Sequence, residues 1–475
     1  MMNRPQWEII TPLMTHQTKA VKKLDNLRVG GLFMEMGTGK SLTAIQIGYN
    51  RKHKINKFVW CCPVSLKMNA VEQITKHTKN SSIYIFDDNT TDDNIKNAFW
   101  YIVGLESIGG SDRVTMAFNN LIDENTMLIV DESSYIKGHT AKRTKRLKLI
   151  GERAKYRLIL TGTPISQGIE DLYSQISFLS DKILGYRSWY SFVRKHLEYS
   201  EEYKGLITNR KNIDLIAKKI EPYIYQITKD ECLDLPEKTY SSRMVKLTLK
   251  QKELYEKIKD KFYEDVLDME KHEMGIAIYK LFTSLKSVVN GIVPPDFKCE
   301  YDDIGNNKIE ELKNTLNSIH PDRPVVIFTQ HRKSIELIEE TLGSMFNKNI
   351  STYYGKLTEK RNRYKNLTRW RDNGGYFLAT ASCGGFGLDL TKSNDCVFFS
   401  NGFKYGERIQ CEDRLHRIGQ YRNVLYTDIW SDSGIEDRIR RSHEKKSNAM
   451  ESFKYELIDA KKNNPDNLLT IVKAL

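Results

Sequence analysis

Val29-Gly30-Gly31-Leu32-Phe33 runs towards Met36-Gly37-Thr38-Gly39-Lys40-Ser41, and this stretch decides the fold. A short apolar run without polar alternation reads as a strand covered on both faces, hence a parallel sheet flanked by helices. The closely spaced glycines after it let backbone N–H groups turn inward at a helix start, where phosphate oxygens are favoured. Lys40 can reach β/γ-phosphates, and the Ser41 hydroxyl can ligate Mg²⁺. The general phosphate-loop pattern has a glycine where this chain has Met34, so the stretch needs a second half of the site to be read.

Three more apolar runs follow in the first part of the chain. Phe58-Val59-Trp60-Cys61-Cys62 ends at Pro63, Met127-Leu128-Ile129-Val130 at Asp131-Glu132, and Leu158-Ile159-Leu160 at Thr161-Gly162-Thr163-Pro164. Open parallel sheets bind ligands just beyond the carboxyl ends of their strands. Asp131 is therefore the expected Mg²⁺ ligand, and Glu132 the group that orients and deprotonates an attacking water. A helix is expected from Thr15 through Ala20, Val21 and Leu24.

From about 171 to 303 the chain turns helical, as at 189–196 and 251–271. Strands return at Pro324-Val325-Val326-Ile327-Phe328, Phe377-Leu378-Ala379 and Asp395-Cys396-Val397-Phe398-Phe399, giving a second α/β unit. A short hinge is expected near 225–245, and beyond about Glu436 lies a charged helix with Arg438, Arg440, Arg441, Lys445 and Lys446. Gln410, Arg414 and Arg417 are spaced i, i+4 and i+7, which predicts one helix face. Such cations could stabilise charge on leaving phosphates; an ordinary solvated helix has the same spacing.

Lys and Arg total 74 against 61 Asp and Glu, a balance of +13 that attracts polyanions. The basic run Lys142-Arg143-Thr144-Lys145-Arg146 is a candidate phosphate contact, or a solvated helix face. Tyr353-Tyr354 reads as packing rather than base stacking. The seven cysteines are odd in number and widely spaced, which fits reduced thiols better than a disulfide framework. No apolar run reaches the roughly 20 residues that span a bilayer, and the start lacks a secretory pattern. A soluble intracellular protein is the reading.

In order, these motifs resemble the Snf2-type branch of the superfamily 2 helicase-like ATPases. The resemblance is carried by the Met36 to Ser41 turn, Asp131-Glu132-Ser133-Ser134, Leu160-Thr161-Gly162-Thr163-Pro164-Ile165, Cys383-Gly384-Gly385-Phe386-Gly387-Leu388-Asp389-Leu390, and the run from Gln410 to Gln420. It covers about residues 10–430. It implies an α/β fold of two RecA-like parallel-sheet lobes with helical insertions between them, and ATP held between the lobes with Mg²⁺. The implied organisation is a first lobe at 1–170, a helical protrusion at 171–235, a second lobe at 236–436 with a helical insertion at about 245–300, and a helical tail at 437–475.

By the same resemblance Gln17 recognises adenine, and Gly37, Thr38, Gly39, Lys40, Ser41, Gly387 and Gln410 line the nucleotide. Arg414 and Arg417 approach the phosphates from the second lobe. Thr161, Thr163, Gly384 and Gly385 couple nucleotide state to nucleic acid contact. Lys142, Arg143, Lys145 and Arg146 are the candidate DNA contacts. The chain departs from the family pattern at Ser134, at Tyr225-Gln226 before Leu235-Pro236, and around Phe403-Lys404-Tyr405.

The implied activity is ATP hydrolysis coupled to translocation on double-stranded or branched DNA. Strand-separating helicase action and a nucleotide-switched DNA scaffold are the alternatives. Replication, recombination or repair proteins are the implied partners, with no membrane and no required oligomer. A minimal bacterial or viral member is the nearest likeness, working in the cytoplasm of a bacterium or infected cell, with the nucleus as the other setting.

Overall fold

The run before the glycine turn is a strand because every side chain on it has somewhere apolar to go. In the computed structural model, which describes residues 7–165, 168–200, 207–270, 273–297, 303–345, 349–355, 360–384, 388–445, 449–463 and 466–475, the chain divides into two compact units, Met1–Asp234 and Leu235–Leu475.

In the first unit, helix α1 (Thr15–Leu24) precedes strand β1 (Val29–Met34), and helix α2 (Lys40–Asn50) follows the glycine turn. The remaining sheet strands are β2 (Lys57–Cys62), β3 (Ile83–Ile85), β4 (Trp100–Gly104), β5 (Thr126–Asp131), β6 (Tyr156–Thr161) and β7 (Ile224–Ile227). They form one parallel sheet in the order β7-β1-β6-β5-β2-β4-β3. Val59, Cys61, Val103, Leu128, Val130 and Ile159 share a core with Phe118, Ile150 and Phe178 from the helices. Trp60, Ile102, Ile129 and Leu160 are equally buried, which is why these strands show no polar alternation.

Helix α3 (Lys142–Gly151) lies between β5 and β6, and helix α4 (Glu170–Leu179) opens the stretch read as a helical protrusion. That stretch includes the expected helix Trp189–His196 and also an antiparallel pair, Leu197–Tyr199 with Ile207–Arg210. It then returns to the sheet as β7, whose Ile224, Tyr225, Gln226 and Ile227 pair with Gly31 to Met34. Tyr225-Gln226 therefore stands on the strand beside the glycine turn.

The second unit is built on β8 (Lys238–Val245), β9 (Val325–Thr329), β10 (Ile350–Tyr353), β11 (Tyr376–Thr380), β12 (Asp395–Phe398) and β13 (Val424–Ser431). This sheet is also wholly parallel, in the order β8-β13-β12-β9-β11-β10. Helices α5 (Leu249–Asp268), α6 (Met274–Val289) and α7 (Asn307–Asn317) come between β8 and β9. On α5, Leu254, Tyr255, Ile258, Phe262 and Val266 are buried at helical spacing. Helix α8 (Tyr405–Leu415) precedes β13, and the tail forms α9 (Gly434–Glu444), α10 (Ala449–Asn463) and α11 (Asp466–Lys473). Lys461 on α10 donates to the carbonyls of Val266, Leu267 and Met269, satisfying acceptors at the end of α5. Tyr353 is a buried strand residue of this core, as its packing reading requires. No helix among the described residues is long and apolar enough to cross a membrane.

Candidate nucleotide site

The turn after β1 depends on two glycines in left-handed backbone, Gly37 at φ +84° and Gly39 at φ +87°. Gly39 is the N-cap of α2, so the positive end of the helix dipole begins at Lys40 and Ser41. Thr38 closes the turn: its amide and hydroxyl both donate to the Glu35 carbonyl, at 3.3 and 2.7 Å. Lys40 Nζ donates to the carbonyls of Met34 and Glu35, at 2.8 and 3.4 Å.

Helix α1 brings two adjacent residues onto the same turn. His16 Nε2 donates to the Thr38 carbonyl at 2.7 Å, and Gln17 Nε2 donates to those of Thr38 and Gly39 at 3.4 and 3.3 Å. The Gln17 Oε1 accepts from the Met14 amide at 2.8 Å, so the side chain is tied down at both ends. On the other flank, the Glu35 amide donates to Ile227 of β7, and the Lys229 amide donates to the Glu35 carboxylate at 2.8 Å. His16 and Glu35 carry no motif, so only the fold identifies them as part of the turn.

Asp131 closes β5 and Glu132 follows at φ +51°, a left-handed conformation uncommon outside glycine. The Glu132 amide donates to Asp131 Oδ1 at 3.0 Å, and Trp60 Nε1 lies 3.4 Å from Oδ2. Burial and the adjacent Glu132 charge push the Asp131 carboxyl up to about 7, with Lys40 acting in the opposite direction. Lys40 and the acidic pair therefore share one field at the carboxyl edge of the sheet. Ser41 and Asp131 present hard oxygen donors beside a buried excess of negative charge, a donor set that fits Mg²⁺.

Thr161 is fully buried and its hydroxyl accepts from the Thr163 amide at 3.1 Å. Between them, Gly162 lies against the phosphate turn: a methyl there would sit 3.1 Å from Met36 Cγ and 3.4 Å from Lys40 Nζ. Gln175 of α4, also fully buried, joins the two turns. It accepts from the Ser133 hydroxyl at 2.7 Å and donates to the Pro164 carbonyl at 2.8 Å. Nothing in the sequence marks Gln175, because it is one polar residue on a helix otherwise read for its apolar spacing.

The basic run forms α3. Arg146 pairs with Asp112 and donates to the Ile108 carbonyl and the Thr115 hydroxyl at 3.1 and 3.2 Å. Lys142 lies 3.5 Å from the same Asp112, and Arg143 stands 5.6 Å over the Tyr135 ring. Lys145 is exposed.

The second set of expected residues belongs to the second unit. Gln410 and Arg414 lie on α8, and Arg414 Nε donates to the Gln410 carbonyl at 3.1 Å. Arg417 is not on that helix face. The helix ends at Leu415, and His416, at φ −95° and ψ 82°, turns the chain away, so the i+7 spacing fails physically at the helix end. Arg417 donates instead to the Leu388 carbonyl at 3.1 Å, and its buried Nε has no acceptor among the described residues. Burial opposes the charge on Asp389, yet Arg417 and the hydrogen bonds from Thr391 hold that carboxyl below its usual range. Gly384 is buried where a methyl would sit 2.7 Å from Phe328 and 2.8 Å from Ala379. Gly385 and Gly387 lie outside the described residues.

A parallel-sheet unit with a glycine-lysine-serine turn facing paired carboxylates, followed by a second parallel-sheet unit carrying an arginine motif, defines the helicase-like nucleotide-binding class. A model of the SNF2-related domain matches residues 16–293 and one of the helicase conserved C-terminal domain matches 307–419; the chain belongs to the SNF2-related family. An uncharacterized ATP-dependent helicase of Mycoplasma genitalium is 24% identical over 435 residues, covering 89% of this chain and 40% of that protein. The ATP-dependent DNA helicase DDM1 of Arabidopsis thaliana is 24% identical over 473 residues, covering 91% and 61%. Among solved structures, the SWI2/SNF2 ATPase core of Sulfolobus solfataricus in complex with dsDNA aligns over 99% of both chains at 23% identity, with a TM-score of 0.44. The chain spans 40% and 41% of the length of the two Mycoplasma helicases it matches.

Proposed function

We propose that this chain hydrolyses ATP and couples hydrolysis to translocation on double-stranded DNA, displacing bound proteins or acting on branches. The observation that carries the reading is the convergence of Lys40, Asp131 and Glu132 on one sheet edge, with Lys40 counteracting the rise in the Asp131 carboxyl. Family membership supports the nucleotide, and the +13 balance supports a polyanionic track.

In this reading Lys40 exchanges its carbonyl partners for the β/γ-phosphates, and the amides after Gly39 hold the remaining oxygens. Gln17 bears on the adenine and, through Gly39, on the turn itself. Ser41 and Asp131 would hold Mg²⁺, which when bound would offset the negative charge of the phosphate oxygens. Glu132 orients water and takes its proton. Arg414 and Arg417 supply cations for the charge that develops on the phosphates, with Gln410 and Gly387 beside the nucleotide. Thr161, Thr163, Gly384 and Gly385 transmit nucleotide state. In the first unit the physical route is Ser133 to Gln175 to Pro164. Lys142, Arg143, Lys145 and Arg146 form the proposed DNA-facing strip, with Lys145 its exposed contact and Arg146 its brace.

Replication, recombination or repair proteins are the proposed partners. The proposed setting is a bacterial or virus-infected cytoplasm, with the nucleus as the other.

The test is phosphate release measured with single-stranded, duplex, forked and four-way DNA and with matched RNA, followed by triplex displacement. Duplex-stimulated turnover with third-strand displacement is expected. Stimulation by RNA alone would overturn the DNA assignment, and opening of the duplex itself would favour the helicase alternative.

A further inference from the structure

Arg408, Glu412 and His416 are spaced one turn apart along α8 and its C-cap. Glu412 is 2% exposed, and its carboxylate is divided between its own helix and the first strand of the unit. Oε1 accepts from Arg408 Nε at 2.8 Å, while Oε2 accepts from Lys238 Nζ at 3.1 Å and from the Tyr240 hydroxyl at 2.9 Å. One turn later His416 Nε2 donates to the Pro236 carbonyl at 2.7 Å. Pro236, Lys238 and Tyr240 are thus all held by the helix that carries Arg414. They are also among the first residues after the boundary between Asp234 and Leu235.

The charges explain why this link is stiff. Arg408 is held on its far side by Asp428, with Nη2 to Oδ2 at 3.1 Å, and stands 3.6 Å over the Phe398 ring. Two buried carboxylates, Glu412 and Asp428, therefore face two cations, and Lys238 is the second. Removing it leaves a buried negative charge in excess, so the helix cannot leave the strand without a desolvation cost. Tyr240 stacks on Tyr426 at 5.5 Å, and the Tyr426 hydroxyl donates to the Glu412 carbonyl at 2.8 Å, which adds an apolar brace.

We propose that Glu412 and His416 are positioning residues that lock 236–240, where the chain enters the second unit, to the helix bearing Arg414, so that displacement of this helix by nucleotide is transmitted to the connection between the units. The inference deepens the nucleotide reading and rests on it, since it takes Arg414 and Arg417 to respond to bound nucleotide.

The test is hydrogen–deuterium exchange on the full chain with and without AMP-PNP and magnesium, read at 236–245 and 405–420. Fluorescent-nucleotide titration of every sample reports binding separately. In the native chain nucleotide should change exchange in both segments. In a Lys238→Met/Tyr240→Phe variant the response at 405–420 should persist and that at 238–245 should be lost, with the Pro236 carbonyl still held by His416 and nucleotide affinity unchanged. Lys238→Arg should restore it. Tyr240→Phe alone, which removes one hydroxyl, provides a milder variant if the double one melts early. A response at 238–245 that survives the double variant, or that is missing from the native chain although nucleotide binds, would overturn the link. Failure to bind nucleotide at all would instead remove the reading beneath it, and the link with it.

Discussion

Gln17 donates its side-chain amide to the Gly39 carbonyl at 3.3 Å, and a methyl group built on Gly39 would collide with that same amide. Helix α1 and the phosphate turn are therefore fitted to each other through a glycine. Gly39→Ala should weaken nucleotide binding through two causes, displacement of Gln17 and about 1–2 kcal/mol of left-handed backbone strain. Gln17→Ala removes only the first and should weaken binding about tenfold, the loss of roughly one hydrogen bond. Fluorescent-nucleotide titration of both variants checks the ranking.

Glu132→Gln should retain ATP binding while lowering phosphate release by about 10²-fold or more, as expected when a general base is lost. Arg417→Ala should reduce turnover by about 10³-fold and leave binding by the first unit largely intact. Unchanged phosphate release in both would remove their proposed roles.

Glu436 is fully buried between two lysines, with Lys286 Nζ at 2.6 Å and Lys308 Nζ at 2.9 Å, and joins α6, α7 and α9. Burial works against its charge, yet the lysines hold the carboxyl down to about 2. Glu436→Gln leaves two buried cations without a counter-charge and should cost about 3–5 kcal/mol in urea unfolding. Replacing all three by Lys286→Met, Glu436→Leu and Lys308→Met should come much closer to neutral, because the desolvation cost disappears with the charges.

Acid should loosen the second unit through two histidines whose folded surroundings resist protonation. Burial, then the Lys286 charge, lowers His331 to about 4; burial, against the Gly402 carbonyl and with Arg408, lowers His443 to about 4 as well. The sign follows from a depressed base. Above about pH 6.5 both rings are neutral folded or unfolded. Below it the unfolded chain gains protons that the folded one refuses, so stability falls until the folded rings protonate near 4. Urea midpoints should be lower at pH 5 than at pH 7.5, and a His331→Asn/His443→Asn variant should flatten that difference.

Lys145 is exposed, whereas Arg146 is engaged with Asp112 and two groups of its own unit. Lys145→Ala should reduce the slope of duplex affinity against salt concentration by about 1 without altering the fold. Arg146→Ala should lower the melting temperature as well. Filter binding over a salt series, with thermal unfolding alongside, separates the two.

Much of this protein is written locally. The strands β1, β2, β5, β6, β9, β11 and β12, buried along most or all of their length, are short apolar runs, and in the first unit the chemistry follows directly at their ends: glycines then Lys40, or Asp131 then Glu132. Burial on both faces imposes the first pattern and ligand position at strand ends the second, so both are legible without coordinates.

The remainder depended on distant partners. β8, with the sequence Lys-Thr-Tyr-Ser-Ser-Arg-Met-Val, has no continuous apolar run, and its strand state comes from eight-residue parallel pairing with β13. β7 joins the first sheet from the far end of a helical stretch. His16 and Gln175 become site residues only because folding sets them on carbonyls 22 and 11 positions away. Arg417 leaves its expected helix face because His416 ends α8 on the Pro236 carbonyl. Local patterning determined the sheets, the phosphate turn and the acidic pair, because each needs only neighbouring residues. Tertiary packing alone decided the edge strands, the braces and the course of the arginines, because a buried polar group takes its partner from whatever the fold brings within hydrogen-bond reach.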